Sequence, residues 1–480
     1  MARPTPTREP SVTHVAHPHV PLGMVLAIAT AAQFMVVLDT TIVNVALPAM
    51  KAGLGLSATG QQWVVDGYLV AFGGLLMLAA RSGDLLGHKR VFQAGLIVFT
   101  LASLVGGLAG DAGWLIAARI VQGAGAAALA PASLSLITAS HPEGPARSRA
   151  LAIWSSSTVC GGAIGLVLGG VLTSELSWRW VLLVNLPIGA ALLVATAVCL
   201  VGRPAGRTNP RIDLPGALTV TLGVGALVYG VSATTETGWG SAQVVCALVA
   251  AAFLSTAFVV VETRRPEPLV RLDIFRVRGI AVANGLAACL GVTLTTTLFF
   301  IALYLQQVNG YSALRTGLAM VPQTAAMVVG VAAGKKAVGR FNARTVVVIG
   351  SAVATAGVAW LSLLPVPSEY VTSVLGPTVV LGAGVGFMMV PASETATAGV
   401  AAADAGLASG LFNTSRQLGG AIGLAVLVTV SSTALRHSHL GGLEAVAHGY
   451  RIALVVAAAV GVASTLLALL LPGGDRTTRS

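Results

Sequence analysis

Charge is what this chain has least of. Asp, Glu, Lys and Arg make up 9% of its 480 residues. A soluble globular domain carries about a quarter, so a water-soluble fold is excluded. Histidine is missing where chemistry inside a membrane would need it. All eight (His14, His17, His19, His88, His141, His437, His439 and His448) lie outside the long apolar runs. That removes haem, zinc and di-iron readings of the interior. The four cysteines (Cys160, Cys199, Cys246, Cys289) sit in separate runs without a CxxC, so no disulfide and no metal site is expected. A Walker-type glycine loop is lacking, which argues against ATP as the driving force. Loops are too short for a catalytic domain, so neither an enzyme nor a cofactor is expected. The first twenty residues lack an apolar signal core and read as a disordered tail.

What is abundant is apolar sequence, 55% of the chain, with a mean hydropathy of +0.85. Runs of helix-span length recur throughout. Fourteen spans are expected, at about 22–48, 61–80, 91–110, 113–138, 150–173, 180–201, 214–232, 241–261, 279–306, 315–334, 345–364, 370–393, 405–434 and 452–472. The fold class is therefore an all-α integral membrane protein. With the N-terminus in the cytoplasm, 21 of the 28 Lys and Arg fall in cytoplasmic segments and five in outer loops. Arg119 and Arg416 lie within spans. This split is a positive-inside signal with both termini cytoplasmic, although the inner loop at 394–404 has no basic residue. Six tryptophans (Trp63, Trp114, Trp178, Trp180, Trp239, Trp360) fall near the outer interface, as an aromatic belt would. The net charge of +11 is thus mainly a topology signal. Because the basic residues are spread over many loops, nucleic acid is not expected as a partner.

The chain repeats itself. Gly161-Gly162-Ala163-Ile164-Gly165-Leu166 recurs as Gly419-Gly420-Ala421-Ile422-Gly423-Leu424. Gly123-Ala124-Gly125 with Pro131-Ala132-Ser133 recurs as Gly382-Ala383-Gly384 with Pro391-Ala392-Ser393. The offsets, 258 to 260, agree and pair spans 1–6 with spans 9–14 in the same orientation, a parallel repeat. The expected organisation is a cytoplasmic tail (1–21), a six-helix bundle (22–201), a linker with two extra spans (202–278), a second six-helix bundle (279–472) and a cytoplasmic tail (473–480).

Charge inside a span costs about 2.5–3.5 kcal/mol even on the lenient insertion scale, and usually marks a path for ions or substrate. Asp39 lies in span 1, within Leu38-Asp39-Thr40-Thr41-Ile42-Val43-Asn44-Val45-Ala46-Leu47-Pro48. Arg119 lies in span 4, three residues before Gln122 and on the same helix face. Arg119 cannot lose its proton in practice and can hold a carboxylate ionised. An apolar setting favours the neutral acid and a nearby cation the carboxylate, so movement between states can switch Asp39. A fixed structural ion pair is the alternative. Asp66 lies early in span 2, a position that suits the outer mouth as well as the core. Arg416 is the sole basic residue within the second half's spans; it suits an acidic substrate group or a structural partner. Gln33, Asn44, Gln122, Asn284, Tyr304, Gln323 and Asn413 are the other polar candidates to line a cavity. Thr293, Thr295, Thr296 and Thr297 are expected to bond their own helix carbonyls.

Several of these stretches carry a resemblance. The Leu38-to-Pro48 stretch is similar to an LDxTIVNVALP signature, and Arg119, Gln122, Gly123 and Gly125 to an RxxQGxGxA motif. The loop Ala80-Arg81-Ser82-Gly83-Asp84-Leu85-Leu86-Gly87-His88-Lys89-Arg90 is similar to GxLADRxGRR. Ala80 replaces its first Gly, and Leu85 the Arg after its Asp. Gly161, Gly165, Gly169 and Gly170 resemble GxxxGPxxGG, with Leu166 in place of Pro, a departure that weakens antiport on that motif alone. Asn413-Thr414-Ser415-Arg416-Gln417-Leu418-Gly419 resembles NxxRQxG, and Asn185-Leu186-Pro187 is a further family-like feature. Together these resemble the major facilitator superfamily, and within it the fourteen-span drug:proton antiporters often called the EmrB/QacA type.

The resemblance implies two six-helix bundles plus an inserted two-helix hairpin. It implies proton coupling at Asp39, Arg119 and Asp66, and gating at Asp84, Gly87, Arg90, Gly161, Gly165, Gly169 and Gly170. The implied function is a proton-coupled exporter of drugs or antibiotics working by alternating access. Its partners are protons, a small amphipathic substrate and the lipid bilayer. Export or symport of an endogenous metabolite (siderophore, lipid precursor, amino-acid derivative) is the alternative. The expected location is the plasma membrane of a bacterium, since 24 Arg against 4 Lys suits a high-GC genome.

Overall fold

The computed structural model describes residues 22–200, 213–265, 268–366, 368–398, 400 and 405–472. The two tails and the segment at 201–212 lie outside the described residues. Fourteen helices have the length and apolarity to cross a membrane. They are spans 1 (Leu22–Leu54), 2 (Ala58–Leu86), 3 (His88–Gly107), 4 (Ala112–Ser140), 5 (Pro145–Glu175), 6 (Trp180–Cys199) and 7 (Leu214–Thr237). Spans 8 to 14 are Ala242–Arg264, Arg278–Gln307, Ala313–Val338, Ala343–Leu361, Tyr370–Thr397, Gly406–Arg436 and Gly442–Ala468. Each expected run is a helix, often overshooting its apolar stretch because a helix end can continue into the headgroup region. Span 14 begins at Gly442, ten residues before its apolar run, so His448 falls inside a helix after all. Span 6 is interrupted at Val184, between Trp180–Leu183 and Asn185–Cys199.

Polar caps fix several starts. Ser57 Oγ accepts from Gly60 N at 3.0 Å and Asp111 Oδ1 from Trp114 N at 2.9 Å. Asn342 Oδ1 accepts from Thr345 N at 2.8 Å. Each such cap is worth about 1 kcal/mol. Spans 2 and 3 meet at one residue, Gly87, whose φ of +95° only glycine adopts without strain; its N–H closes span 2 on Gly83 O.

The repeat is visible as matching helix contacts. A Cβ at Gly123 would stand 2.4 Å from Tyr68 O, and one at Gly382 would stand 2.2 Å from Gln323 O. A Cβ at Gly125 would stand 2.6 Å from Phe99 N, and one at Gly384 would stand 2.3 Å from Ala354 N. Gly161 lies against Phe34 O and Gly419 against Ala288 O. Gly165 lies against Leu38 and Thr41, Gly423 against Val292, and Gly420 against Thr295. Small residues thus let backbones touch in the same places in both six-helix halves. These contacts fix the equivalences Leu38–Val292, Thr41–Thr295, Tyr68–Gln323 and Phe99–Ala354.

The halves meet along three pairs of spans. Spans 2 and 13 pack through Gly73 on Gln417 and Leu418, and through Gly410 on Met77. Spans 5 and 10 touch at the end away from the termini: Gly170 against Leu314, Gly317 against Leu166 O, and Leu314 N donating to Ser174 Oγ at 3.3 Å. Spans 1 and 9 are joined at that same end by Gln306 Nε2 donating to Val45 O at 3.0 Å. At the opposite end, spans 1 and 5 border a cavity of about 540 Å³ lined by Thr30, Phe34, Ile153, Ser156, Ser157 and Cys160 among others.

The inserted hairpin is docked by one helix. Span 7 lies on the seam between the halves: Gly74 of span 2 packs on Thr221, and Thr429 Oγ1 of span 13 donates to Val231 O at 3.2 Å. Arg436 of span 13 also donates to Thr235 O. Span 8 packs on span 7 and is the least buried of the fourteen.

Candidate functional site

The most polar point of the interior lies where spans 1, 2, 3, 4 and 6 converge. Asp39 is fully buried. Arg119 NH1 donates to its Oδ2 at 2.6 Å. Gln122 Nε2 and Asn185 Nδ2 donate to its Oδ1 at 2.7 and 2.8 Å. Gln122 Nε2 also donates to Ser103 Oγ at 2.7 Å, and Ser103 Oγ in turn donates to Phe99 O at 2.8 Å. Arg119 is held on its other sides: Nε donates to Val64 O at 3.1 Å and NH1 to Gln122 Oε1 at 2.7 Å. The guanidinium lies 4.4 Å from the centre of the Tyr68 ring. Such a pair is held in a low-dielectric interior by hydrogen bonds to both carboxylate oxygens and from Nε and NH1 of the guanidinium, while Asn185 Oδ1 is buried without a hydrogen bond.

Asp66 is arranged differently. It is 0% exposed, and span 7 packs against the same stretch of span 2. Gln62 Nε2 donates to Asp66 Oδ2 at 2.7 Å and to Ser232 Oγ of span 7 at 2.7 Å. No cation pairs with Asp66 among the described residues, and its Oδ1 is buried without a hydrogen bond. The inserted hairpin therefore helps to build the surroundings of the second acid.

The other expected site residues divide. Gln122 belongs to the Asp39 cluster. Asn44 Nδ2 donates to Thr40 O of its own helix at 2.9 Å. Asn284 accepts from Ser415 Oγ at 2.8 Å, and Tyr304 OH donates to Pro365 O at 2.5 Å near the end away from the termini. These three are nearly buried and occupied by structural bonds. Gln33 (bonded to Thr158 Oγ1 of span 5 at 3.4 Å), Gln323, Asn413 and Arg416 are partly exposed. Thr293 and Thr296 bond their own helix at Cys289 O and Val292 O, as expected.

Asp84 is an exposed side chain, 3.8 Å from His88; Gly87 forms the tight link already described, and Arg90 is exposed. Lys89 donates to Leu200 O, tying spans 3 and 6. Gly161, Gly165 and Gly169 face span 1 of their own half, and Gly170 alone of the four faces the other half, at Leu314. Sequence reasoning missed Ser103, Tyr68, Gln62 and Ser232 as members of the acid sites. It quoted Asn185 only as a family feature; an amide in an apolar span beside a helix break was the available signal.

Comparisons with known proteins agree with this architecture. The pattern of the Major Facilitator Superfamily matches residues 29–424. The cephamycin export protein CmcT of Amycolatopsis lactamdurans is 44% identical over 458 residues, 94% of this chain and 93% of that protein. The puromycin resistance protein pur8 of Streptomyces alboniger is 39% identical, covering 93% and 90%. The multidrug resistance protein Stp of Mycobacterium tuberculosis (strain ATCC 25618 / H37Rv) is 36% identical over 83% of this chain and 73% of that one. Among solved structures, a bacterial homologue of the human lysosomal transporter Spinster, inward-facing and unoccupied, aligns with a TM-score of 0.66 at 17% identity over 95% of this chain and 98% of that one. The inward-open xylose transporter XylE from E. coli aligns at 0.63 and 12% over 95% and 98%.

Proposed function

Because the chain belongs to the major facilitator superfamily, we propose that it is a proton-coupled exporter of antibiotics or drugs in a bacterial plasma membrane, with both termini cytoplasmic. The observation that carries this reading is the Asp39 cluster: a fully buried carboxylate held by Arg119, Gln122 and Asn185 from two other spans of one half. The names of CmcT, pur8 and Stp, which are export and resistance proteins, support the drug-export part.

With the basic loops in the cytoplasm, the closed contacts between spans 1 and 9 and between spans 5 and 10 lie on the outer side. The cavity beside spans 1 and 5 then opens inward. A substrate enters from the cytoplasm, and the halves rock so that the outer contacts part and the inner ends close. Protonation of Asp39 removes the negative charge opposite Arg119. Leaving one partner of a buried pair uncompensated costs about 3–5 kcal/mol, enough to favour a rearrangement of the five elements that share the cluster. Asp66, lacking a counter-ion among the described residues and linked through Gln62 to span 7, is the second proton-coupling residue of the proposal. Asp84, Gly87 and Arg90 on the inner loop, with the glycine ridge of span 5, are its moving contacts.

The test uses everted vesicles energised to an acid interior. Antibiotics including a cephamycin and puromycin are added one at a time to wild type and Asp39→Asn. Drug-induced alkalinisation of the lumen in wild type, absent in Asp39→Asn, is the expected result. Silence across a chemically broad panel, from protein shown to be folded, would remove the drug-export reading.

A further inference from the structure

Among the described residues, Arg416 is a cation without an anion. It lies within span 13, about three turns from its start, and its one hydrogen bond among the described residues is a long one, NH2 to Asn413 Oδ1 at 3.4 Å. Arg119, the other arginine deep within a span, has a carboxylate, an amide, a carbonyl and an aromatic ring. The acids of the spans do not compensate Arg416. Asp39 is taken by Arg119 and Asp66 by Gln62. The remaining described acids stand at span ends or in loops.

Its direction follows from its neighbours. At about 3.6 residues per turn, Gly410 and Gln417 face span 2, and Gly419 and Gly423 face span 9. Gly420 also faces span 9, at Thr295, so Arg416 projects on the span 9 face and Asn413 on its edge towards span 2. The opposite sector carries Thr429, which bonds the inserted hairpin on the outside of the bundle. Arg416 and Asn413 therefore lie on the side away from Thr429, where span 13 meets spans 9 and 2, and both are partly exposed. By the repeat offset of 258, Arg416 stands where the first half has Thr158, the residue bonded to Gln33 beside the cavity.

We infer that Arg416, assisted by Asn413, recognises an anionic group on the transported molecule, so that the substrates are amphipathic anions such as carboxylates. The inference rests on the export reading for its use, and on the unpaired cation for its chemistry. A guanidinium inside a membrane protein is costly and is retained facing a cavity when something negative visits it. Its planar fork fits a carboxylate through two parallel N–H bonds, and Asn413 adds a neutral polar group beside it. Amphipathic cations would meet the wrong sign here, because both deep acids are fully buried in the other half.

The experiment measures equilibrium binding to the purified full chain in nanodiscs. The probes are benzylpenicillin, 1-naphthylacetate and fusidate, each beside its methyl ester, which keeps the apolar body and removes the charge. Wild type is expected to bind at least one acid about tenfold more tightly than its ester. Arg416→Gln should lose that preference while holding the ester as wild type does, and Arg416→Lys should keep part of it. Equal binding of every acid and ester by wild type would overturn the inference. So would an Arg416→Gln protein that loses acid and ester alike, since that marks a structural arginine. Gradient-driven transport of the same probes in proteoliposomes separates the two readings. Acids that bind through Arg416 but are not moved by a proton gradient sink the export reading and leave the anion site. Esters or cations that are exported with no acid preference in binding sink the anion site and leave export.

Discussion

The two six-helix halves share their glycine contacts and differ in the charges those contacts surround. In the first half the contacts frame Asp39 and Arg119. By the equivalences that the glycines set, Asp39 corresponds to Thr293, Arg119 to Thr378, Gln122 to Leu381, Ser103 to Val358 and Tyr68 to Gln323. Thr293 and Thr378 bond carbonyls of their own helices, Cys289 O and Val374 O. The second half keeps the frame and fills it with neutral side chains, then places its own deep cation at Arg416, outside that frame and partly exposed. On the proposed function and the proposed anion site, the halves divide the labour: one carries the proton-linked pair in a buried core, the other offers a charge to the substrate. Close backbone packing is what both halves need in order to exist; ionisable groups are what only one needs in its core.

The largest expected effect breaks the first half. Arg119→Gln leaves the Asp39 carboxylate buried with amide donors only. It should destabilise the purified protein by about 3–5 kcal/mol, read as a lowered denaturation midpoint. Asp39→Asn/Arg119→Gln should recover much of that stability and none of the proton coupling. Next comes a change that tests the shared frame. Gly123→Ala and Gly382→Ala each force a methyl onto a backbone carbonyl, and each should cost about 1–3 kcal/mol. If thermal unfolding shows one tolerated and the other not, the halves are less alike than their contacts suggest.

A transplant sharpens the comparison further. Thr293→Asp alone buries an unpaired acid, whereas Thr293→Asp/Thr378→Arg gives it a partner across the equivalent helices. The double variant should be more stable than the single one by about 1–3 kcal/mol. The smallest expected effect is at the hairpin. Ser232→Ala removes one acceptor from Gln62 beside Asp66, for about 0.5–1.5 kcal/mol. If the hairpin matters to the second acid, the pH dependence of drug-induced proton movement should shift in this variant. An unchanged profile would reduce span 7 to a packing element.

Much of this molecule was legible in one dimension. The fourteen helices followed from apolar runs, the repeat from two glycine patterns at a common offset, and the pairing of Asp39 with Arg119 from the cost of charge in a span. The site was less legible. Asn44, Asn284 and Tyr304 have the composition of cavity residues, yet each is held by a bond that depends on how its helix is turned or what packs over it. Asp66 looks peripheral by its place near the start of span 2; the Gln62 amide that holds it is also bonded to Ser232 of span 7, 166 positions from Asp66 along the chain.

The sequence by itself determined which segments are helices that cross a membrane, which residues are charged within them, and that the architecture is doubled. These are local properties, since a lipid interior tolerates only helices whose backbone groups are satisfied within the segment. The tertiary structure alone decided which polar groups meet. The bonds from Arg119, Gln122 and Asn185 to Asp39 join residues 80, 83 and 146 positions apart. Whether such groups face one another depends on the rotation of each helix about its axis, set by where small residues let backbones touch. The same packing left Arg416 partly exposed, with no carboxylate paired to it among the described residues.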